Sequence, residues 1–493
     1  MNADLRPPFV LLAGVLVACS GGGGGGGKGT ECVVPPGDPS AGHCLGAADC
    51  DGDACVLDRS NPGTDGEAAA LVYGSPGSGG APGDACGEAS DCAAGLCAIS
   101  GFCVEACGAR DDCGATARCR ATFVRTGAST ASSLFACVPH LPTAPGIEAS
   151  ARRVPSVADR DERWVSVDFG AVTAPGDVFV VEGTCGADVR VVRFETRGPT
   201  PETLFDAEQV GTVPFSNPIH PEASPASVMV PSGSDVLLSD LGYRLLVRID
   251  GPFDAEVTEL RGVPAGAVLD LDLFYVGGHG WAAEGTRGPA EVDAALAIVE
   301  ANLADLGITL GDIRQHDVEG ALRERFEVIG ENADLGEDAF EPFYPGIREL
   351  STVAAGLDRP SIAVFFVKWL EGSVALTSAI PAVGGFHGTS SATIVVGADA
   401  LSGAASVARI LTHELGHALG LFHTTEFNGL VVEALADTPA CAESADADAN
   451  GIYTEEECAG MGGDNRMFWQ ANGTLWSDDQ RTVAARARML RAP

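Results

Sequence analysis

Lysine is nearly absent. Of 30 basic residues only Lys28 and Lys368 are lysines, and 68 acidic residues leave a formal net charge of −38. The acidic excess is spread along the chain and excludes nucleic acid and anionic membrane surfaces as direct partners, because both would be repelled. Beyond the N-terminus no run of about 18 apolar residues occurs, so no transmembrane helix is expected. The 16 cysteines contain no C-x2-C pair, which argues against a structural zinc module.

What is present begins with an export signal. Phe9 to Ala18 is an apolar run behind Arg6, too short to span a bilayer, and residues 1–18 read as a signal peptide. The run ends Leu16-Val17-Ala18-Cys19. This resembles a bacterial lipobox and implies an exported lipoprotein, at the outer membrane or cell surface, with Cys19 carrying the lipid. An ordinary secretory signal cut near the same place is the rival reading. Ser20 and seven glycines follow, so 19–31 reads as a flexible tether.

Twelve cysteines lie between Cys32 and Cys137. Cys44-x5-Cys50-x4-Cys55 is echoed by Cys86-x5-Cys92-x4-Cys97-x5-Cys103, and then by Cys107-x5-Cys113-x5-Cys119. Asp49, Asp91 and Asp112 each precede the second cysteine of a repeat. Apolar content between them is low, so disulfides must hold residues 32–140 together as small modules, in an oxidising compartment. Residues 56–84, rich in Gly, Ser, Pro and Ala, read as a linker. Their connectivity does not follow from spacing.

Residues 160–267 change character. Trp164 to Phe169, Val178 to Glu182, Val189 to Phe194 and Tyr243 to Ile249 are short β-rich runs between Gly, Pro and Asp turns, the pattern of an all-β sandwich. From 268 to 493, strand and helix patterns alternate as in an α/β (α+β) domain. Val268 to Val276 alternates Leu and Asp as a strand, and Pro289 to Leu306 reads as a helix. The expected fold class is therefore multidomain: disulfide-rich modules, a β-sandwich, then an α/β unit.

The chemistry lies in His413-Glu414-Leu415-Gly416-His417-Ala418-Leu419-Gly420-Leu421-Phe422-His423. This is H-E-x-x-H-x-x-G-x-x-H without a mismatch. His413 and His417 are one helical turn apart and can grip one metal from one face. Glu414 stands beside the metal, where it can take a proton from water. Gly420 permits a sharp turn after the helix, and His423 returns as third ligand. Three protein ligands leave a position open, the arrangement of a catalytic zinc. Ser402 is the expected N-cap, and Val407, Ile410, Leu411, Leu415 and Leu419 form the buried face of a helix of about four turns.

The extended motif resembles the metzincin clan of zinc endopeptidases, and Asp437-Thr438-Pro439 is similar to a segment of its pappalysin family. The resemblance spans roughly 268–493 and is specific from 361 onward. It implies a methionine turn beneath the metal at Met467, a central strand at Ile362 to Val367, an upper edge strand within Gly372 to Pro381 and a strand at Ala392 to Gly397. A capping box at Ser477 to Gln480 opens a terminal helix expected to run to about Leu490. Trp469 stands where pappalysins carry a tyrosine that assists the transition state, and an indole cannot ionise. Some metzincins are kept latent by an upstream thiolate. If Cys19 is lipidated and Cys441 pairs with Cys458, Cys185 remains either for that role or as a packing thiol.

A second metal signal is Asp446-x-Asp448-x-Asn450-Gly451-x-Tyr453-Thr454-x-x-Glu457, which matches the twelve-residue calcium loop. Asp446, Asp448, Asn450, the Ile452 carbonyl and Glu457 would be ligands, with Thr454 acting through water. The alternative is a solvated acidic turn. The expectation is a zinc endopeptidase acting on protein or peptide substrates, with zinc and calcium bound and the membrane reached only through the lipid. The alternative is a calcium-dependent surface adhesin whose metal site is vestigial.

Overall fold

The computed structural model describes residues 32–33, 55–57, 70–73, 79–82, 84–107, 113, 117–125, 131–139, 144–159, 162–183, 187–209, 215–220, 223–233, 239–249, 254–283, 288–330, 344–355, 357–431, 433 and 435–493. The signal and tether segments, Cys19 and Cys185 lie outside them. Among the described residues no helix is long and apolar enough to cross a membrane.

The cysteine repeat pairs first with third and second with fourth: Cys86–Cys97 and Cys92–Cys103. The next repeat pairs Cys107–Cys119 and Cys113–Cys137. In the described repeat the acid has a structural role: Asp91 Oδ2 accepts from the backbone N–H of Gly87 at 2.7 Å and of Glu88 at 2.9 Å. It closes the turn ahead of its cysteine as the third residue of a capping box whose N-cap is Glu88. The last module ends in an antiparallel hairpin, Ala117–Arg125 with Ala131–Pro139.

The β-sandwich consists of a four-stranded and a five-stranded sheet. The first runs Ala226–Val230, Asp177–Gly183, Ala255–Gly262, Ile147–Val154. The second runs Thr203–Asp206, Val189–Thr196, Tyr243–Ile249, Glu162–Phe169, Val157–Asp159. Aromatic pairs fill the space between them, with Phe169–Phe179 ring centroids 4.1 Å apart and Phe194–Tyr243 5.4 Å apart. The sandwich starts before the expected boundary at 160, because Ile147–Val154 pairs along the whole of Ala255–Gly262. Only Ile147 of that strand is buried, so this edge strand lacks the apolar alternation that would betray it.

The C-terminal unit has a five-stranded sheet in the order Thr309–Asp317, Val268–Tyr275, Ile362–Val367, Thr393–Gly397, Ala375–Thr377. The first four strands are parallel and the last is an antiparallel edge. Ile362–Val367 is buried at every position, as a central parallel strand covered on both faces should be. Helices Ala290–Ala304 and Gly403–Ala418 pack on one face and against each other. The aspartates of Val268–Tyr275 are buried too. Asp270 is held by Arg491 at 2.7 and 2.8 Å, and Asp272 by Arg314, His316 and Ser361. Burial pushes the Asp272 carboxyl up, but these hydrogen bonds outweigh it and leave the group well below the usual carboxylate range.

The terminal helix is shorter than expected. Ser477 and Gln480 form the capping box, but the helix ends at Ala484. The chain leaves it to deliver arginines elsewhere. Arg486 donates to the Pro231 and Gly233 carbonyls, Arg488 reaches the Pro175 carbonyl, and Arg491 pairs with Val268 across a backbone bridge.

The sandwich and the C-terminal unit share one core. Val178, Val180, Met229 and Leu260 of the four-stranded sheet pack in the same apolar cluster as Leu411, Leu415 and Val483. Ser227 Oγ donates to the Pro381 carbonyl at 2.6 Å, and Ser391 Oγ to that of Pro225 at 2.8 Å.

Candidate metal centre

Helix Gly403–Ala418 begins after Ser402, whose backbone has the N-cap conformation without a side-chain hydrogen bond. Its end is set by Gly420, at φ +99°. Leu421 N–H donates to the Gly416 carbonyl at 3.0 Å and Gly420 N–H to the His417 carbonyl at 2.9 Å. This is the Schellman arrangement with glycine at its left-handed position. It reverses the chain so that His423 returns to the face bearing His413 and His417.

The three imidazoles converge. His423 Nε2 lies 3.0 Å from His413 Nε2 and 3.1 Å from His417 Nε2. The other ring nitrogen of each is engaged: His413 Nδ1 with the Arg466 carbonyl at 2.7 Å, His417 Nδ1 with the Leu421 carbonyl at 2.7 Å, His423 Nδ1 with Glu426 Oε2 at 2.9 Å. Three acceptors at Nδ1 fix the proton there and turn three Nε2 lone pairs toward one point. Lone pairs at such spacing repel unless a cation lies between them. Tetrahedral coordination at about 2.05 Å puts nitrogens about 3.3 Å apart, close to the spacing seen. The donor set therefore fits a metal ion, and His413, His417 and His423 could hold one.

Electrostatics agree with that. Burial pulls His413 down to about 3 and His417 well below its usual value, so both are neutral donors. Burial acts on His423 as well, but the carboxylates of Glu426, Glu414 and Glu433 outweigh it and raise its pKa. Glu414 is buried beside the site, and burial pushes its carboxyl up to about 7. Its Oε2 accepts from Thr377 Oγ1 at 2.7 Å, and Thr377 also touches the Glu414 carbonyl at 2.8 Å. The edge strand thus positions the carboxylate.

Met467 lies fully buried under the helix. A Cβ on Gly416 would stand 2.4 Å from Met467 Sδ, so the glycine between the two helical histidines makes room for the methionine. The turn is held by Asn465, whose Oδ1 accepts from Met467 N–H at 2.8 Å, and by the Met467 carbonyl, which accepts from Thr424 N–H at 2.9 Å. Trp469 Nε1 donates to the Tyr453 carbonyl at 2.5 Å, so its N–H is already committed.

The site opens into a cleft of about 950 Å³. Val374 and the edge strand Ala375–Thr377 line it, together with Phe427, Val431, Trp469 and Gln470. The sandwich contributes Phe205, Phe215, Ile219 and His220.

The second acidic group is also assembled. Asp446, Asp448 and Glu457 bring carboxylate oxygens within 4.8 Å of one another and could hold an ion. Asn450 donates to Asp448 at 2.9 Å, Ile452 N–H to Asn450 Oδ1 at 2.7 Å, and Thr454 Oγ1 to Glu457 at 2.8 Å. Cys441 and Cys458 are disulfide-bonded and bracket the loop. No flanking α-helices frame it; a short 3-10 turn, Glu443–Ala445, precedes it. The loop abuts the cleft, because Tyr453 N–H donates to the Phe427 carbonyl at 2.8 Å and Glu455 N–H to Gln470 Oε1 at 2.7 Å.

Four contributors are not read from the motif: Glu426, Thr377, His220 and Phe215. Glu426 follows the third histidine by three residues, a spacing at which a turn carboxylate reaches an imidazole. The others are remote in sequence and carry no local signal. No protein-family model matches the chain, and no curated protein matches it.

Proposed function

We propose that the chain is a zinc-dependent endopeptidase of metzincin type, nearest the pappalysins, acting on extracellular proteins or peptides. The observation that carries the reading is the convergence of three Nδ1-anchored histidines beside a buried glutamate, in a cleft flanked by an antiparallel edge strand. His413, His417 and His423 would hold the metal, which when bound polarises a carbonyl and acidifies water. Glu414 accepts the proton of the attacking water and returns it to the leaving nitrogen. Thr377 holds one carboxylate oxygen, leaving the other for that exchange. The edge strand Ala375–Thr377 offers its free side to an extended peptide. Trp469 takes no part in stabilising charge, since its N–H is spent on Tyr453.

Calcium at Asp446 to Glu457 belongs to the same proposal. It would brace the cleft wall through Tyr453 and Glu455. The disulfides support an oxidising compartment, and the sequence before Cys19 supports lipid anchoring there.

The test is digestion of casein or gelatin with and without a zinc chelator, beside Glu414→Gln. The amide keeps shape and cannot accept a proton, so activity should fall on the order of a hundredfold or more with zinc content unchanged. Equal digestion by the variant, or none by the wild type, sinks the reading.

A further inference from the structure

The β-sandwich reaches into the cleft. Ile219 is 2% exposed and Phe205 also 2%, yet both line the cavity that holds the three histidines. Phe215 completes the surface, its ring 5.0 Å from that of Phe205. His220 follows and lines the same cavity.

This wall is built rather than draped. Asn217, fully buried between Phe215 and Ile219, accepts from Ser232 N–H at 3.0 Å and donates its own N–H to the Leu204 carbonyl at 3.3 Å. The strand that follows is stitched to the C-terminal unit through Ser227 and Ser391. Met229 on that strand packs against Gly420, where a Cβ would stand 2.4 Å from its Cε. The wall therefore keeps a fixed distance from the histidines. Pre-organised apolar surface at a fixed distance from the reacting centre is what side-chain selection requires.

We propose that Phe205, Phe215 and Ile219 form a specificity subsite that takes one large apolar side chain, Phe or Leu, of an extended peptide. The sandwich would thus be part of the substrate site. The proposal rests on the peptidase reading. Three hydrocarbon side chains offer no hydrogen-bond partner to a charged group seated directly on them, so that position favours an apolar side chain.

The experiment uses the full chain and peptides with a Gly/Ser background carrying a single Phe, Leu, Ala or Asp. The wild type should cleave the Phe and Leu peptides with kcat/KM on the order of tenfold to a hundredfold above the Ala peptide. Phe215→Ala should collapse that ratio toward one, with the loss falling on the Phe and Leu peptides. Phe215 is only partly buried, so the variant keeps the sandwich core, and circular dichroism checks its fold. Phe215→Trp should instead shift preference from Phe toward Leu. The same peptides are titrated into Glu414→Gln, reading binding without hydrolysis. Phe-selective binding lost in Glu414→Gln/Phe215→Ala supports the subsite even if the wild type cleaves nothing, an outcome that removes the peptidase reading alone. Selectivity indifferent to Phe215 in both assays overturns the subsite and leaves the peptidase reading standing.

Discussion

Replacing Gly420 tests how the sandwich and the histidine site are joined. Alanine there meets two penalties. At φ +99° a side chain suffers the left-handed clash, about 1–2 kcal/mol. Its Cβ would also lie 2.4 Å from Met229 Cε, an overlap that something must relieve. Overpacking of this kind costs about 1–3 kcal/mol. The lower entropy of an unfolded chain with alanine returns about 0.4–1 kcal/mol. The net expectation for Gly420→Ala is a loss of about 2–4 kcal/mol. Met229→Ala should cost about 2–5 kcal/mol through the cavity it leaves. In the double variant the new methyl enters that space, so only the backbone penalty survives beside the cavity cost. The coupling should therefore be favourable by about 1–3 kcal/mol, well beyond the scatter of independent sites.

The assay is urea unfolding of all four proteins of the cycle, with bound zinc counted in each. Metal retention is a useful readout because the Leu421 carbonyl, next in the chain, anchors His417. Moving it should weaken metal retention in Gly420→Ala, and the double variant should recover part of it. Additivity within about 0.5 kcal/mol would refute direct packing of the sandwich on the site turn. A cost below about 1 kcal/mol for Gly420→Ala would refute the strained geometry as well.

Two further outcomes are expected. Calcium should raise the melting temperature, by linkage worth about 2.7 kcal/mol at a hundredfold excess over its dissociation constant. Glu457→Ala should abolish that rise and lower activity through the cleft wall, whereas a calcium-independent melting temperature in the wild type reduces the loop to an acidic turn. Asp272 governs part of the acid limb. Its folded pKa lies below the unfolded value of about 3.9, so its contribution is present above that pH and drains away as pH falls below it. Asp272→Asn should cost about 1.5–3 kcal/mol at neutral pH by removing its charged hydrogen bonds, since Arg314 keeps Asp358 and Arg359 keeps Asp312 and the Leu271 carbonyl, and it should flatten the stability profile below about pH 4; an unchanged acid limb would exclude it.

The sequence is most legible where chemistry fixes residue identity. His413, Glu414, His417, Gly420 and His423 each stand where the spacing puts them, because a helical turn and a positive-φ glycine leave little latitude. Strands Val189–Thr196 and Tyr243–Ile249 are legible for a similar reason, since one face of each is buried and the apolar pattern shows it. Legibility fails where partners come from afar. Thr377 is an ordinary threonine until the fold lays its strand beside Glu414. Phe215 and His220 belong to another unit altogether. Ile147–Val154 has polar and small residues on an exposed edge, so nothing in it competes with a loop reading. The end of the last helix is misread because helical propensity continues past Ala484, while tertiary demand for Arg486, Arg488 and Arg491 does not. Trp469 is legible in part: its inability to ionise follows from its identity, but its hydrogen bond to Tyr453 does not.

Composition suggests beads on a string, with glycine-rich joints between independent units. The packing says otherwise from the last cysteine module onward. Arg120 reaches Glu182 of the sandwich at 3.0 and 3.1 Å and lies over the Phe386 ring of the C-terminal unit. Arg118 pairs with Glu256, and Phe123 meets Phe326 edge-on at 6.0 Å. The buried arginines would be stranded charges if the sandwich were removed, and breaking a buried pair from one side costs about 3–5 kcal/mol. Residues 268–493 alone would also uncover Leu411, Leu415 and Val483 where Val178, Val180 and Met229 now cover them. Exposed apolar patches of that kind promote association. The isolated C-terminal unit should therefore aggregate or bind zinc weakly, and residues 79–493 should be the smallest fragment that behaves. A monodisperse, zinc-loaded 268–493 with wild-type cleavage rates would show that the sandwich contributes neither stability nor a wall to the cleft.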